Sequence, residues 1–296
     1  LSLDAMTAEP ALIGIINTNS PLQLDGPMAE GLITLAQFGQ VNVITPFTLA
    51  GAMAPITIAG ALVQQHAEAM AGIVLTQIVR PGVPVMYGGF TSNVDMRSGA
   101  PAFGTPEYTK AAHATGQLAR HIGVPFRSSN VTAANEVDAQ AAYESQMALW
   151  GSVMGGAHLV EHAAGWMHGG LTASFEKLIV DAEMLQMMQS YLQPLDTSPE
   201  ALATSAIAEV GHGGHFFGTS HTIERYETAF YTPLISNWDN YPNWLERGSS
   251  DARQRANAVW KQMLAEHEDP AIGLDVLEEL ERYVARRKDE GGAPMN

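Results

Sequence analysis

The run LIGIIN at residues 12–17 predicts a buried strand, because it is apolar along almost its whole length and ends in a polar residue. Four runs of the same kind follow it: VNVIT at 41–45, VPVMY at 83–87, VPFRS at 124–128 and AHLVEH at 157–162. Strands that are apolar on both faces are typical of a parallel sheet with helices packed against it. The five runs therefore predict the strands of one buried parallel sheet.

Helical patterns separate these runs and continue after the last of them. We predict helices at about 27–38, 58–79, 106–121, 134–154 and 175–191. Parallel strands joined by helices form either an open doubly wound sheet or a closed (β/α)8 barrel. Five strands are compatible with both architectures, so the pattern alone leaves this choice open.

Composition excludes several classes of function. The 296 residues include 15 Lys and Arg against 31 Asp and Glu, which gives a formal net charge of −16. So few cations disfavour nucleic acid and anionic membranes as partners. The chain has no cysteine, so disulfides, iron–sulfur clusters and a thiolate nucleophile are excluded. No apolar run has the length of a membrane helix and residues 1–10 do not resemble a signal peptide, so we expect a cytoplasmic protein.

The charge distribution separates the end of the chain from its body. Residues 246–296 hold 8 of the 15 basic residues and contain two amphipathic helical patterns, at 251–267 and 274–288. We therefore expect one domain, with a barrel-type body at 1–245 and a C-terminal helical extension at 246–296. A large apolar domain with such an extension is compatible with a homo-oligomer.

In parallel α/β folds the functional site lies beyond the carboxyl ends of the strands. Arg97 and Arg127 follow predicted strands in a body that is poor in cations, and a bidentate guanidinium would suit a carboxylate substrate. The alternative is an internal ion pair with Asp95 or Glu161, and both readings stay open. Asn130 follows the same strand as Arg127 and is a further candidate.

Glu161 and His162 lie in an otherwise apolar run. Side chains alternate along a strand, so we expect only one of the two to face the interior of a barrel. A buried glutamate at this place could act as a general acid or base, or could oppose a substrate cation. A structural role for a hydrogen-bonded acid is the alternative.

Aromatic residues near the strand ends could surround a quaternary ammonium group through cation–π attraction. They could equally be ordinary core residues. The candidates are Tyr87, Phe90, Trp166, Phe216 and Phe217.

The glycine-rich run GHGGHFFGTSH contains His212, His215 and His221. These histidines could bind a metal ion, contact a substrate or cofactor, or be part of an ordinary loop. We favour the last two, because no HExxH motif or neighbouring carboxylate completes a metal site. The chain also lacks the GxGxxG, Walker A and GxSxG motifs, which disfavours a nucleotide cofactor and an α/β-hydrolase.

Three separated strings resemble the trimethylamine methyltransferase (MttB-like) family: YGGFTSNVDMRSGAPAFGTPEY at 87–108, NEVDAQAAYES at 135–145 and GHGGHFFGTSHTIERYETAFYTPLISNWDNYPNW at 211–244. The resemblance implies a (β/α)8 TIM-barrel-type α/β fold with C-terminal helices. Members of this family are normally longer, so it also implies a body that is truncated at its N-terminus, with three barrel strands upstream. The implied reaction moves a methyl group from a methylated amine to Co(I) of a corrinoid, which a partner protein carries.

The sequence has only standard residues, so it looks like the branch of the family without pyrrolysine, some of whose members demethylate quaternary amines such as glycine betaine. On this resemblance Arg97 or Arg127 would bind a betaine carboxylate, and Tyr87, Asn130, Trp166 and Phe216 would line the substrate site. Glu161, His162 and Asp95 would be the catalytic candidates, and His212, His215 and His221 would face the corrinoid. A non-catalytic binding relative and a metal-dependent barrel lyase or hydrolase are the alternatives.

Overall fold

The computed structural model describes residues 3–292, with side chains from residue 6 onward. The strands are β1 (Ile13–Ile16), β2 (Val41–Ile44), β3 (Leu49–Ala50), β4 (Val85–Gly88), β5 (Ser92–Val94), β6 (Pro101–Ala102), β7 (Phe126–Ser129), β8 (Leu159–Glu161), β9 (Trp166–Met167) and β10 (Thr172–Ala173). The helices are α1 (Leu3–Ala8), α2 (Gly26–Gln37), α3 (Ile58–Val79), α4 (Pro106–His121), α5 (Ala139–Met154), α6 (Phe175–Tyr191), α7 (Pro199–Leu202), α8 (Thr204–Val210), α9 (Ser220–Ile223), α10 (Tyr241–Glu246), α11 (Ala252–Ala265) and α12 (Leu274–Asp289).

The five predicted strands form one parallel sheet in the order β1-β2-β4-β7-β8. The order follows the chain without a reversal, whereas a doubly wound sheet reverses its order at a switch point. This progression is that of a (β/α)8 barrel, and the sheet curls as half of such a barrel. The predicted barrel-type fold class is therefore confirmed.

Local sequence signals set the helix ends. Helices α3, α4 and α6 have the predicted bounds, and the side chains of Thr57, Thr105 and Ser174 cap their first turns. The prediction for α5 began five residues too early. Asp138 accepts hydrogen bonds from the backbone N–H groups of Gln140 and Ala141, so the helix begins only at Ala139.

The hydrophobic core has two main parts, one on each side of the line where the strands end. Below this line Ile44, Tyr87 and Phe126 of the sheet pack against Leu32 and Ile73 of the surrounding helices. Above it a second cluster fills the space over the carboxyl ends: Leu49, Phe90, Phe103, Tyr108, Val131 and Ala148. The second cluster forms the floor and walls on which a site can be built.

A small hairpin, residues 166–173, lies above the last strand of the sheet. It consists of the antiparallel pair β9 and β10 and a turn at His168–Gly170. Gly169 and Gly170 adopt φ angles of 65° and 95°, a conformation that side chains with a Cβ rarely take. Leu171, at the tip, is 86% exposed. The hairpin brings the ring of Trp166 to the open end of the half-barrel.

The C-terminal helices differ in how they meet the body. Helix α11 packs along α6, where Ala256 joins Ile179 and Ile235 in a small core and Trp260 stacks on Phe175 at a centroid distance of 5.0 Å. Helix α12 has no buried residue. From residue 3 to residue 292 there is no helix with the length and apolar composition that crossing a membrane requires.

Candidate active site

A cavity of about 320 Å³ opens at the carboxyl end of the half-barrel. All five sheet strands contribute to it, either directly or through the residues that follow them. The lining residues are Ile15, Asn17, Thr45, Phe47, Phe90, Arg127, Glu161, His162, Trp166 and Gly169. The place is the one that parallel α/β folds use for their ligands, and the size suits a small molecule.

Arg127 and Glu161 form an ion pair in this cavity. They come from the neighbouring strands β7 and β8, and the parallel register brings their side chains to the same face. Arg127 is only 2% exposed, and burial lowers the pKa of its guanidinium while the Glu161 carboxylate acts in the opposite direction. The ion-pair reading of Arg127 is therefore correct, and the pair is part of a concave site.

The ion pair with Glu161 leaves some hydrogen-bond donors of the Arg127 guanidinium without an acceptor. Its Nε and Nη1 atoms are buried without a hydrogen-bond partner among the described residues. The hydroxyl of Thr45 and the indole N–H of Trp166, both in the same cavity, share this property. Buried donors of this kind are normally satisfied. Residues that line the cavity thus carry donors that the described chain leaves unpaired, and a carboxylate is an acceptor that suits such donors.

Aromatic rings form the walls. The rings of Phe90 and Trp166 stack at a centroid distance of 5.7 Å, and Phe47 lies 5.3 Å from Phe90. The guanidinium carbon of Arg127 lies 5.7 Å from the centre of the Phe90 ring. Aromatic faces beside the half-buried carboxylate of Glu161 attract a cation that is itself apolar, such as a tetraalkylammonium group.

Both Glu161 and His162 line the cavity, so the expectation that only one would face inward is wrong. The strand ends at Glu161, and His162 adopts a positive φ of 53°, which interrupts the alternation. Arg127 Nη2 lies 3.4 Å from His162 Nδ1, and the imidazole packs edge-on to Trp166 at 4.0 Å between centroids. Burial, with a smaller effect of the Arg127 charge, lowers the pKa of His162, so its ring is neutral at pH 7.

A buried ion pair below the site holds the loop that carries these residues. Lys177 and Asp181 of α6 are fully buried, with 2.6 Å between Nζ and Oδ2, and Lys177 also donates to Ser145. Asp181 accepts a 2.8 Å hydrogen bond from the backbone N–H of Gly165, immediately before Trp166. Burial raises the pKa of Asp181 and lowers that of Lys177. Helix α6 thereby fixes where the 162–166 loop leaves the sheet.

Close packing also fixes the indole. A Cβ atom at Gly170 would lie 2.0 Å from Cζ2 of Trp166, so the ring rests directly on the glycine backbone. A Cβ atom at Gly169 would meet only Phe103, at an ordinary contact distance of 3.6 Å. The glycine at 170 is therefore required for the position of the Trp166 wall.

Five of the predicted residues come together in the cavity, namely Phe90, Arg127, Glu161, His162 and Trp166. The structure places the others elsewhere. Tyr87 faces α3, where its hydroxyl contacts Gln65 and His66 at 3.3 and 3.2 Å, and burial raises its pKa to about 12. Its ring belongs to the core below the site because alternation along β4 turns it toward the helices.

Asp95 and Arg97 lie on the exposed turn between β5 and β6. The Asp95 carboxylate accepts hydrogen bonds from Ser98 and from the backbone N–H of Arg97, and these bonds lower its pKa. Neither side chain lines the cavity, and within residues 6–292 no ion pair joins them. Asn130 is buried beside the site and donates to the carbonyl of Ala163 across 2.8 Å, so it supports the same loop as Asp181 does.

The loop at 211–221 carries the remaining candidates. His212, His215 and Phe216 are exposed and His221 is half-buried. None of the four lines the cavity. In the part of the chain with described side chains, no group of three or more His, Asp or Glu residues is arranged to hold a metal ion.

Sequence reasoning missed Thr45 and Phe47, although a usable signal was present. Both directly follow β2, at the carboxyl end of a predicted strand. The rule that led to Arg127 and Glu161 would also have selected them. Neither residue carries a charge, so only its position at or just after the end of a predicted strand marks it in the sequence.

Comparison with known proteins agrees with the barrel topology. The sequence profile of trimethylamine methyltransferase (MTTB) matches residues 2–292. The chain therefore belongs to the trimethylamine methyltransferase family.

Two relatives show its place in that family. The chain is 37% identical over 290 residues to the glycine betaine methyltransferase of Desulfitobacterium hafniense strain Y51, which covers 98% of this chain and 60% of the relative. It is 30% identical over 280 residues to a trimethylamine methyltransferase of Methanosarcina mazei, covering 93% of this chain and 56% of the relative. The chain thus spans somewhat more than half the length of these curated relatives.

Proposed function

We propose that this chain provides the amine site of a corrinoid-dependent methyltransferase. Its substrate would be a quaternary amine that also bears a carboxylate, such as glycine betaine, and the methyl acceptor would be Co(I) of a corrinoid on a partner protein. The observation that carries the proposal is the cavity in which aromatic walls meet the Arg127–Glu161 pair. The naming of relatives as glycine betaine and trimethylamine methyltransferases supports it.

Recognition would use the two kinds of group in the cavity separately. The faces of Phe47, Phe90 and Trp166 would hold the trimethylammonium head, with the Glu161 carboxylate adding electrostatic attraction. The unused Nε and Nη1 donors of Arg127 would take the substrate carboxylate. A zwitterion therefore matches the site better than a simple cation or a simple anion.

The chemistry requires little proton transfer. When a methyl group leaves a quaternary nitrogen, the electron pair of the C–N bond stays on nitrogen and gives a neutral tertiary amine. A tertiary substrate would need protonation or another activation first. The neutral His162 adds no positive charge beside the ammonium head. The contribution of this chain would be to orient the N–CH3 bond toward the open mouth and to exclude water.

The mouth of the cavity would face the corrinoid protein. The loop at 211–221 is exposed and carries His212, His215, Phe216 and His221, which makes it our candidate for contact with that partner. Asp95 and Arg97 lie on the exposed β5–β6 turn and are further candidates for contact with the partner protein. Substitution of Asp95 or Arg97 is expected to change methyl transfer without changing amine binding.

The test combines binding with turnover. Anaerobic spectrophotometry would follow the loss of Co(I) cobalamin absorbance after addition of glycine betaine, carnitine, choline or trimethylamine, while calorimetry measures binding of the same amines. We expect binding and Co(I) consumption with a carboxylated quaternary amine. Binding without consumption, in this chain and in a form extended at its N-terminus, would support a non-catalytic binding protein. Absence of binding in both forms would contradict the proposed site.

A matched pair of variants links the result to the cavity. Trp166→Leu removes one aromatic wall, whereas Trp238→Leu makes the same change at a side chain that is 71% exposed and outside the cavity. We expect the first variant to lose amine affinity and the second to keep it. Equal affinities would show that the amine binds elsewhere.

A further inference from the structure

Helix α12 carries an apolar stripe that nothing in the described chain covers. Val276, Leu277, Leu280, Tyr283 and Val284 recur at intervals of three and four residues, so they share one face of the helix. All five are exposed, and Leu280 at the centre of the stripe is 51% exposed. In proteins most of the stability of a helix comes from the packing of its apolar face. An apolar stripe on such a helix therefore indicates a surface that is buried in an assembly.

The charges of α12 divide between its two halves. The first half contains Asp275, Glu278, Glu279 and Glu281 and no basic residue. The second half contains Arg282, Arg286, Arg287 and Lys288, followed by Asp289 and Glu290. The carboxylate of Glu290 pairs with Arg287 at 2.7 Å. The helix is thus acidic at its start and net basic toward its end.

We propose that α12 is a self-association surface that pairs antiparallel with α12 of a second copy of this chain. An antiparallel pair sets the acidic half of each helix against the basic half of the other. A parallel pair would set acid against acid and base against base. The two-fold axis of this pair lies between Leu280 and Val284. Leu280 of one copy then contacts Val284 of the second copy, and Val284 contacts Leu280, as in an isologous interface.

The same charge pattern argues against other occupants. Helices that lie on membranes carry Lys and Arg along their polar face, whereas the first half of α12 is acidic. A chain with a net charge of −16 also has no general attraction for anionic surfaces or nucleic acid. A second copy brings the complementary charges and an identical apolar stripe at once.

Sedimentation velocity over a series of protein concentrations tests whether the stripe mediates association. The full chain is expected to pass from monomer to dimer as concentration rises. Leu280→Lys places a charge in the stripe, and Ala285→Lys places the same charge on the opposite, exposed face. We expect Leu280→Lys to remain monomeric and Ala285→Lys to dimerise like the parent chain. A parent chain that stays monomeric, or equal behaviour of the two variants, would overturn the proposal.

Orientation can be tested because the chain contains no cysteine. Val276→Cys and Arg287→Cys place single thiols near opposite ends of the stripe. In an antiparallel pair a mixture of the two variants forms a disulfide-linked dimer under mild oxidation, and each variant alone does not. Dimer formation should also weaken as salt concentration rises. Cross-linking of Val276→Cys alone, as efficient as that of the mixture, would refute the antiparallel arrangement.

Discussion

The substitution Gly170→Ala tests whether the Trp166 wall defines the amine site. Because the new Cβ atom would lie 2.0 Å from the indole, against about 3.5 Å for an ordinary contact, the ring must move by roughly 1.5 Å. The φ angle of 95° adds backbone strain of about 1–2 kcal/mol. The variant should therefore be less stable and have a displaced wall.

The expected effect on binding follows from the loss of one cation–π contact. Such a contact contributes about 0.5–2 kcal/mol, which corresponds to a loss of affinity of about 2-fold to 30-fold. Isothermal titration with glycine betaine measures this change directly. The ring displacement itself is visible in the tryptophan fluorescence of the free protein.

Gly169→Ala is the matched control, because residue 169 has a similar positive φ of 65° and its new Cβ atom would meet Phe103 at 3.6 Å. We expect it to carry the backbone strain without the clash, and so to lose less stability and clearly less affinity than Gly170→Ala does. If both variants bind glycine betaine equally, the indole does not form part of the amine site and the reasoning is refuted.

Three further predictions concern the polar groups of the site and their support. Arg127→Gln should weaken the binding of glycine betaine more than the binding of choline, which lacks the carboxylate, whereas Arg97→Gln should change neither. Calorimetry with both ligands would contradict the role of Arg127 if the two variants bind them alike. Because the pKa of His162 lies below its ordinary value of 6.5, its ring gains a proton only at lower pH, so betaine affinity should fall on acidification below pH 6.5 and should do so less in His162→Gln. A pH series of titrations that is flat in the parent chain would contradict this. Lys177→Met leaves the carboxylate of Asp181 buried without its cation, and urea unfolding should show a loss of about 3–5 kcal/mol in stability. Adding Asp181→Leu to this variant should restore much of the stability without restoring the affinity for betaine.

The sheet could be predicted from the sequence because its strands are short, apolar runs with helices between them. All five strands appear at the expected places. The choice between a barrel and an open sheet could not be made in this way. It depends on the order of the strands in space, which arises from packing between distant parts of the chain.

The site was only partly predictable, for reasons that differ between residues. Arg127 and Glu161 were found because they are charges at the ends of buried strands. Tyr87 follows the same rule but faces α3, since its place in the alternation of β4 could not be known before the strand bounds were known. His162 reached the cavity through a positive φ, for which a histidine gives little sequence signal.

The role of Arg97 illustrates a different difficulty. Like Arg127, it follows a predicted strand in a body of the chain that is poor in cations. The chain forms the strands β5 and β6 on either side of it, and Arg97 lies on the exposed turn between them. The same two properties therefore identified one site residue, Arg127, and one surface residue.

Recognition of a positively charged trimethyl group by the cavity can be tested with one pair of ligands. Glycine betaine and 3,3-dimethylbutanoate have the same shape and the same carboxylate, but only the first carries a positive charge on its trimethyl head. Titration calorimetry should show that glycine betaine binds about tenfold more tightly or better. Equal or tighter binding of 3,3-dimethylbutanoate would contradict the account.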